Sequence, residues 1–180
     1  MAGSAEPSAH DAAREERRRL RRLLATFATG VTVMTVGGDR PHGMTANSFT
    51  SVSLDPPLVL VCVDRRTVMH ACLDTASVFG VSVLSARHAS VARFFADPNR
   101  PVGSEEFAGV TTQPGQRTGV PLIADALAWF ECEVWRRYDG GDHTIVVGRL
   151  LRATRPSEET ALLFHHGRFL TTGSCQEVSA

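Results

Sequence analysis

The sequence predicts a mainly β domain with flanking helices, and three observations carry that reading. Runs of apolar, β-branched and hydroxyl residues between Gly-, Asp- and Pro-rich turns occupy most of residues 31–151. Helical spacing is confined to three shorter stretches. Strands do not alternate regularly with crossover helices, which argues against a parallel doubly wound sheet. At 180 residues and 43% hydrophobic composition, the chain has the material for one domain core.

Residues 1–10 are small and polar without an apolar run and are expected to be a disordered tail, with one domain over residues 11–172 and a C-terminal tail over 173–180. Leu20, Leu23, Leu24, Phe27 and Ala28 then recur at helical spacing, with Glu15 placed three and four residues before Arg18 and Arg19. This is an amphipathic helix whose arginines form a solvated face, since no aromatic residues interleave as they would in a nucleic-acid patch. Residues 31–36 form a strand, Gly37-Gly38-Asp39 turns the chain, and residues 42–54 form a second extended run. Asp55-Pro56-Pro57 ends it, and the unbroken apolar run 58–63 is expected to be a central strand buried on both faces.

Helices are expected over 67–74 and 86–95, with a strand over 78–84 between them. The Gly- and Pro-rich stretch 99–121 is expected to be a functional or mobile loop. Ala126, Ala128, Phe130, Cys132 and Val134 share one face of a strand, Asp139-Gly140-Gly141-Asp142 turns it, and 144–151 returns beside it.

Composition excludes several chemistries. All 19 basic residues are Arg, so a Lys Schiff base, a P-loop clamp and a Lys general base are ruled out. The 19 acids balance them to a formal charge of zero, so no nucleic acid or membrane surface is expected as partner. No G-x-G-x-x-G, G-x-S-x-G, H-E-x-x-H or zinc-spaced Cys/His set occurs. His165 and His166, adjacent on a strand, are expected on opposite faces, and no metal is expected. The longest apolar run falls far short of the roughly 20 residues of a membrane span. Cys62, Cys72, Cys132 and Cys175 form no C-x-x-C and are expected as reduced thiols in the cytoplasm.

What remains is a set of short polar patches embedded in strands. Residues 28–33 (ATGVTV), 41–58 (PHGMTANSFTSVSLDPPL), 79–84 (FGVSVL), 92–94 (ARF), 119–122 (GVPL), 141–143 (GDH) and 164–167 (FHHG) together resemble the flavin reductase-like, FMN-binding split-barrel family, in its order, across roughly residues 20–170. The resemblance implies a split β-barrel homodimer that reduces FAD, with FMN also accepted, using a nicotinamide nucleotide; NADH is expected over NADPH because only Arg168 stands near that segment to meet a 2′-phosphate. It further implies delivery of reduced flavin to a partner monooxygenase. Such a reaction needs no side-chain acid or base, so no catalytic residue is assigned beyond positioning.

By the same resemblance, Pro41, His42, Gly43, Met44 and Thr45 with Asn47 and Ser48 line the isoalloxazine. Cys62, Val63, Asp64, Arg65, Arg66 and Thr67 pass the ribityl chain and phosphate, although Val68 and Met69 stand where many relatives carry hydroxyls. Arg93 and Phe94 form a second flavin contact. His143, Phe164, His165, His166 and Gly167 hold the nicotinamide nucleotide. Two alternatives stand beside the reductase: a split-barrel oxidase that keeps its flavin, and a non-catalytic flavin carrier.

Overall fold

A computed structural model describes residues 9–172. The chain runs through α1 (Ala9–Leu24), β1 (Thr29–Gly30), β2 (Thr32–Val36), β3 (His42–Ala46), β4 (Thr50–Leu54), β5 (Pro57–Asp64), α2 (Val68–Thr75), β6 (Val78–Val83), α3 (Ala89–Ala96), β7 (Thr112–Pro114), β8 (Pro121–Ile123), β9 (Ala128–Gly140), β10 (His143–Thr154), β11 (Leu162–His165) and β12 (Arg168–Thr171). Mainly β with flanking helices is therefore the observed class. Apart from Ala9 and His10, which begin α1, the expected tails lie outside the described residues.

Seven strands form one antiparallel sheet in the order β3-β2-β6-β9-β10-β5-β4. Its two edges, β3 and β4, are joined by only residues 47–49. A flat seven-stranded sheet would hold its edges about 29 Å apart, whereas the link from Ala46 to Thr50 spans at most about 14 Å. The sheet must therefore curl until its edges meet at one end, which makes a barrel split between β3 and β4. The expected single strand over 42–54 is thus two strands on opposite sides of the split. Its repeated Thr and Ser carry no turn signal, so the break is a property of closure and not of local sequence.

The barrel interior is filled from alternate positions of several strands, including Met34, Val36, Val59, Val61, Val63, Phe79, Val81, Cys132 and Val146, with Met69 and Leu73 of α2. A second cluster outside the barrel joins Val31, Val33 and Leu84 to Ala92 and Phe95 of α3, Ile123 and Leu162. Strand β2 serves both clusters and is buried along its whole length. The strand expected to be buried on both faces, 58–63, is not: Val59, Val61 and Val63 are buried, while Leu58, Leu60 and Cys62 are half-buried. Helix α3 covers the outside of β2, whereas the outer residues of β5 stay half-buried among the described residues.

Strands β9 and β10 make the long hairpin expected from the Gly-Gly turn, with Gly141 at φ +76. The stretch 99–121 is tied down and carries short elements of its own. Glu106 in it is 0% exposed and bonds to His42 and Arg100. Helix α1 is amphipathic as expected, but its apolar residues Leu20, Leu23 and Leu24 are exposed, as is Phe27 (77%) just beyond its end. No helix among the described residues is long and apolar enough to cross a membrane.

Candidate active site

The link 47–49 pairs with neither flanking strand, which leaves its backbone outside the sheet ladders. Ser48 holds it in place: Oγ donates to the Cys62 carbonyl at 3.1 Å and accepts from the Cys62 N–H at 3.0 Å, closing the split onto β5. Exposed Asn47 donates through Nδ2 to Thr29 Oγ1 at 3.2 Å, and Thr29 lies opposite Phe164 in the β1–β11 pair. One residue pair earlier, Thr45 Oγ1 donates to the Ala92 carbonyl at 2.7 Å, which sets Arg93 and Phe94 beside β3. Residues distant in sequence thus share one rim: Thr45, Asn47, Ser48, Cys62, Arg93 and Phe164.

The rim continues along β5. Asp64 lies opposite His143 at the head of β10. Arg66 grips Asp64 in a fork, Nε to Oδ1 at 3.1 Å and NH2 to Oδ2 at 2.7 Å, and its backbone N–H adds a third bond. That fork holds the Asp64 carboxyl well below the usual carboxylate range. Arg65 donates from Nε to the Gly141 carbonyl at 3.1 Å and pairs with Asp139 at 3.3 Å, tying the same corner to the β9–β10 turn. Thr67 caps α2, accepting from the His70 N–H at 3.2 Å and donating to the Asp64 carbonyl at 2.7 Å. His143 is half-buried and donates from Nδ1 to Asp142 at 2.7 Å, which lowers the Asp142 carboxyl.

Several expected residues fall elsewhere. His42 is not on the rim but buried at the far end of β3, where Nδ1 donates to Glu106 Oε2 at 2.9 Å and Nε2 accepts from Arg100 at 3.2 Å. A guanidinium only donates, so the bond pattern assigns the proton to Nδ1. Gly43 is small for Phe95, whose ring lies 2.5 Å from where a Cβ would stand, and its N–H and C=O are taken by Glu106 and Arg100. Pro41 belongs to a separate cleft of about 670 Å3 shared with Arg40, Cys72 and Val120. Met44 packs against the barrel core and Val63 is inside it. Phe94 packs against the outer cluster. One cause runs through these placements: strand alternation sends neighbouring side chains to opposite faces, so the side chains of a contiguous strand motif cannot all line one groove.

His165 and His166 also differ from expectation. The chain turns at His166 (φ 48) and Gly167 (φ 73), and the two rings lie against each other with centroids 4.1 Å apart. The turn replaces the strand geometry that would have separated them. No cluster able to hold a metal occurs among the described residues. Glu106, Arg100, Thr29 and His70, whose Nε2 lies 2.9 Å from Thr144 Oγ1, support the rim or its anchors without having been predicted. Only Thr29 had a signal, inside the ATGVTV run.

The rim suits a flavin by its donor set. It offers an exposed amide at Asn47, backbone outside the ladders at 47–49, hydroxyls and guanidiniums, and an aromatic wall at Phe164 and Phe169 with centroids 5.6 Å apart. The thiols do not compete as reactive groups: burial pushes Cys62 up, and burial followed by the Glu131 charge pushes Cys132 up to about 12.

Comparison with known proteins agrees with this geometry. The model of the flavin reductase like domain matches residues 24–173. An NADH-dependent FAD reductase of Streptomyces globisporus is 52% identical over 155 residues, covering 86% of this chain and 85% of that protein. The reductase subunit HsaB of a flavin-dependent monooxygenase from Rhodococcus jostii is 36% identical, covering 84% and 76%. The crystal structure of BorF, the flavin reductase component of a bacterial two-component tryptophan halogenase, superposes with a TM-score of 0.83 at 55% identity, covering 86% of this chain and 97% of that one. The chain therefore belongs to the flavin reductase-like, FMN-binding split-barrel family.

Proposed function

We propose that the chain is an NAD(P)H-dependent flavin reductase that reduces FAD or FMN with NADH and feeds the reduced flavin to a partner monooxygenase. The observation that carries this reading is the match to the family over residues 24–173, and the rim at the barrel split agrees with it. When bound, the flavin supplies the hydride acceptor. The chain supplies position, exclusion of water and hydrogen bonds.

Asn47 and the backbone of 47–49 hold the ring edge, with Ser48 fixing the link and Thr45 and Cys62 flanking it. Asp64, Arg65, Arg66 and Thr67 form the corner beside the ribityl chain. Arg65 and Arg66 are engaged with carboxylates already, so they act there mainly by shaping that corner. His143 bounds the nicotinamide side at one end, and Phe164, His165, His166 and Gly167 at the other. No acid or base on the rim transfers a proton.

The active form is a homodimer in the reducing cytoplasm. Exposed apolar residues support the dimer: Leu20, Leu23 and Leu24 on α1 with Phe27 just after it, Val52 and Leu54 (94%) on the open edge strand β4, and Tyr138. The thiols of Cys62, Cys72 and Cys132, free in the chain, support the compartment.

The test is NADH oxidation by purified protein, anaerobically, with and without added FAD, FMN or riboflavin. Turnover that rises with added flavin is expected. Tight flavin binding without NADH oxidation would replace the reductase by a carrier.

A further inference from the structure

The cleft of about 670 Å3 that Pro41 shares with Arg40, Cys72 and Val120 lies at the end of β3 away from the rim. Helix α2, the β2–β3 turn and the stretch 102–120 bound it, and the buried Glu106 cluster reaches its inner side through His42. None of the residues placed on the rim lines it.

Its walls are apolar. Val36 and Val120 are buried, Val78 is half-buried, and Val68 and Val102 stand 51% and 49% exposed along the same cleft, a surface that an apolar group would cover. Asp39 and Arg40, adjacent in the β2–β3 turn, also line it. Both are exposed, and neither makes a side-chain hydrogen bond or ion pair with any described residue, not even with the other. By contrast Asp64, Asp125 and Asp139 each face an arginine. Burial and then the Glu106 charge push the Cys72 thiol up while the Arg40 charge pulls it down, so the guanidinium acts on the inner wall of the cleft. The cleft thus combines an apolar body with one unpaired charge of each sign.

We infer that this cleft binds a small zwitterion with an apolar side chain, an α-amino acid of the leucine or phenylalanine kind. Its carboxylate meets the fork of Arg40, its ammonium meets Asp39, and its side chain lies against the valines. An acid alone or an amine alone would satisfy one charge and leave the other without a partner. The volume lies within the range of small-ligand sites. A flavin or a nicotinamide dinucleotide has no ammonium to meet Asp39, so the cleft takes a ligand of its own, beside those at the rim. That ligand touches α2 and β3, whose opposite ends carry Thr67 and Ala46 toward the rim.

The test titrates three probes into the full chain saturated with FAD, with backbone amide shifts followed by NMR: L-phenylalanine, 3-phenylpropionate, which lacks the ammonium, and phenethylamine, which lacks the carboxylate. Phenylalanine should shift the amides of Gly38, Arg40, Ala71 and Ser77 and bind roughly threefold or more tightly than either analogue. Arg40→Gln should erase its advantage over phenethylamine and keep that over 3-phenylpropionate, and Asp39→Asn should do the reverse. Ala71→Trp fills the cleft from α2 and should abolish binding; all three positions are exposed, so the fold, read by circular dichroism, should be unchanged. No binding by wild type, shifts confined to the rim, an analogue that binds as tightly as the amino acid, or either preference surviving its own variant would overturn the inference. Failure of the reductase reading would appear separately, as protein that binds no FAD, and leaves the titration and its outcomes as they stand.

Discussion

Replacing Glu106 by Gln tests the anchor that holds β3 and the 99–121 stretch together. The carboxylate is 0% exposed, accepts from Arg100 Nε at 2.5 Å and His42 Nδ1 at 2.9 Å, and lies 3.3 Å from the Gly43 N–H. The Arg100 side chain is only 8% exposed. Glu106→Gln keeps the shape but leaves the Arg100 charge buried without its counter-charge, a loss of about 3–5 kcal/mol against a total stability of roughly 5–15 kcal/mol. At about 2–4 °C per kcal/mol for a chain of this size, Tm should fall by roughly 6–20 °C. The double variant Glu106→Gln/Arg100→Gln should be less destabilised than the sum of its singles.

The pH dependence of that difference has a definite sign. Burial pushes the Glu106 carboxyl up, but the bonds from His42 and Arg100 outweigh it and leave the carboxyl below its ordinary value. A lowered carboxyl stabilises the fold fully above its unfolded value of about 4.3. That contribution disappears as pH falls through the lower folded value. The gap between wild type and Glu106→Gln, read by urea unfolding at several pH values, should therefore be full at neutral pH and close under strong acid. A Tm within about 2 °C of wild type at neutral pH, or a gap that persists unchanged into strong acid, would refute the account of the cluster.

Ser48→Ala removes both bonds that pin the link to Cys62 and should cost about 1–3 kcal/mol in urea unfolding, whereas Asn47→Ala should leave Tm unchanged and weaken flavin by roughly tenfold in a fluorescence titration. His143→Ala should raise the KM for NADH and leave flavin affinity nearly unchanged; loss of both together would make His143 a structural residue. Gly148→Ala places a Cβ 2.4 Å from the Phe79 ring and should cost about 1–3 kcal/mol by overpacking, read as a lowered urea midpoint. Leu23→Glu with Leu24→Glu adds charge to the exposed face of α1 and should shift sedimentation from dimer to monomer if that face is the interface, with the fold, read by circular dichroism, unchanged.

The sequence by itself determined the local elements and their order. Periodicity marked α1, α2, α3 and most strands, because side-chain spacing follows the backbone period of each element. Gly-Gly and Gly-rich turns placed the β2–β3 and β9–β10 hairpins, since those positions need backbone conformations that glycine adopts freely. The family's short patches pointed to a candidate region, and Asn47, Ser48, Asp64, Arg93, His143 and Phe164 lie along the barrel split or its ends. What only the tertiary structure decided is which side of each strand faces what. A continuous apolar run at 58–63 looks the same whether one face or two are covered, and closure of the sheet decides that α3 covers β2 while the outer residues of β5 stay half-buried. Nothing in residues 42–54 distinguishes a single strand from two edges that meet, because the break follows from the reach of three linking residues across a curled sheet. His42 and Glu106 are 64 residues apart, and their pairing exists only because a Gly- and Pro-rich stretch with no periodicity folds back over the far end of β3 and buries its acid there.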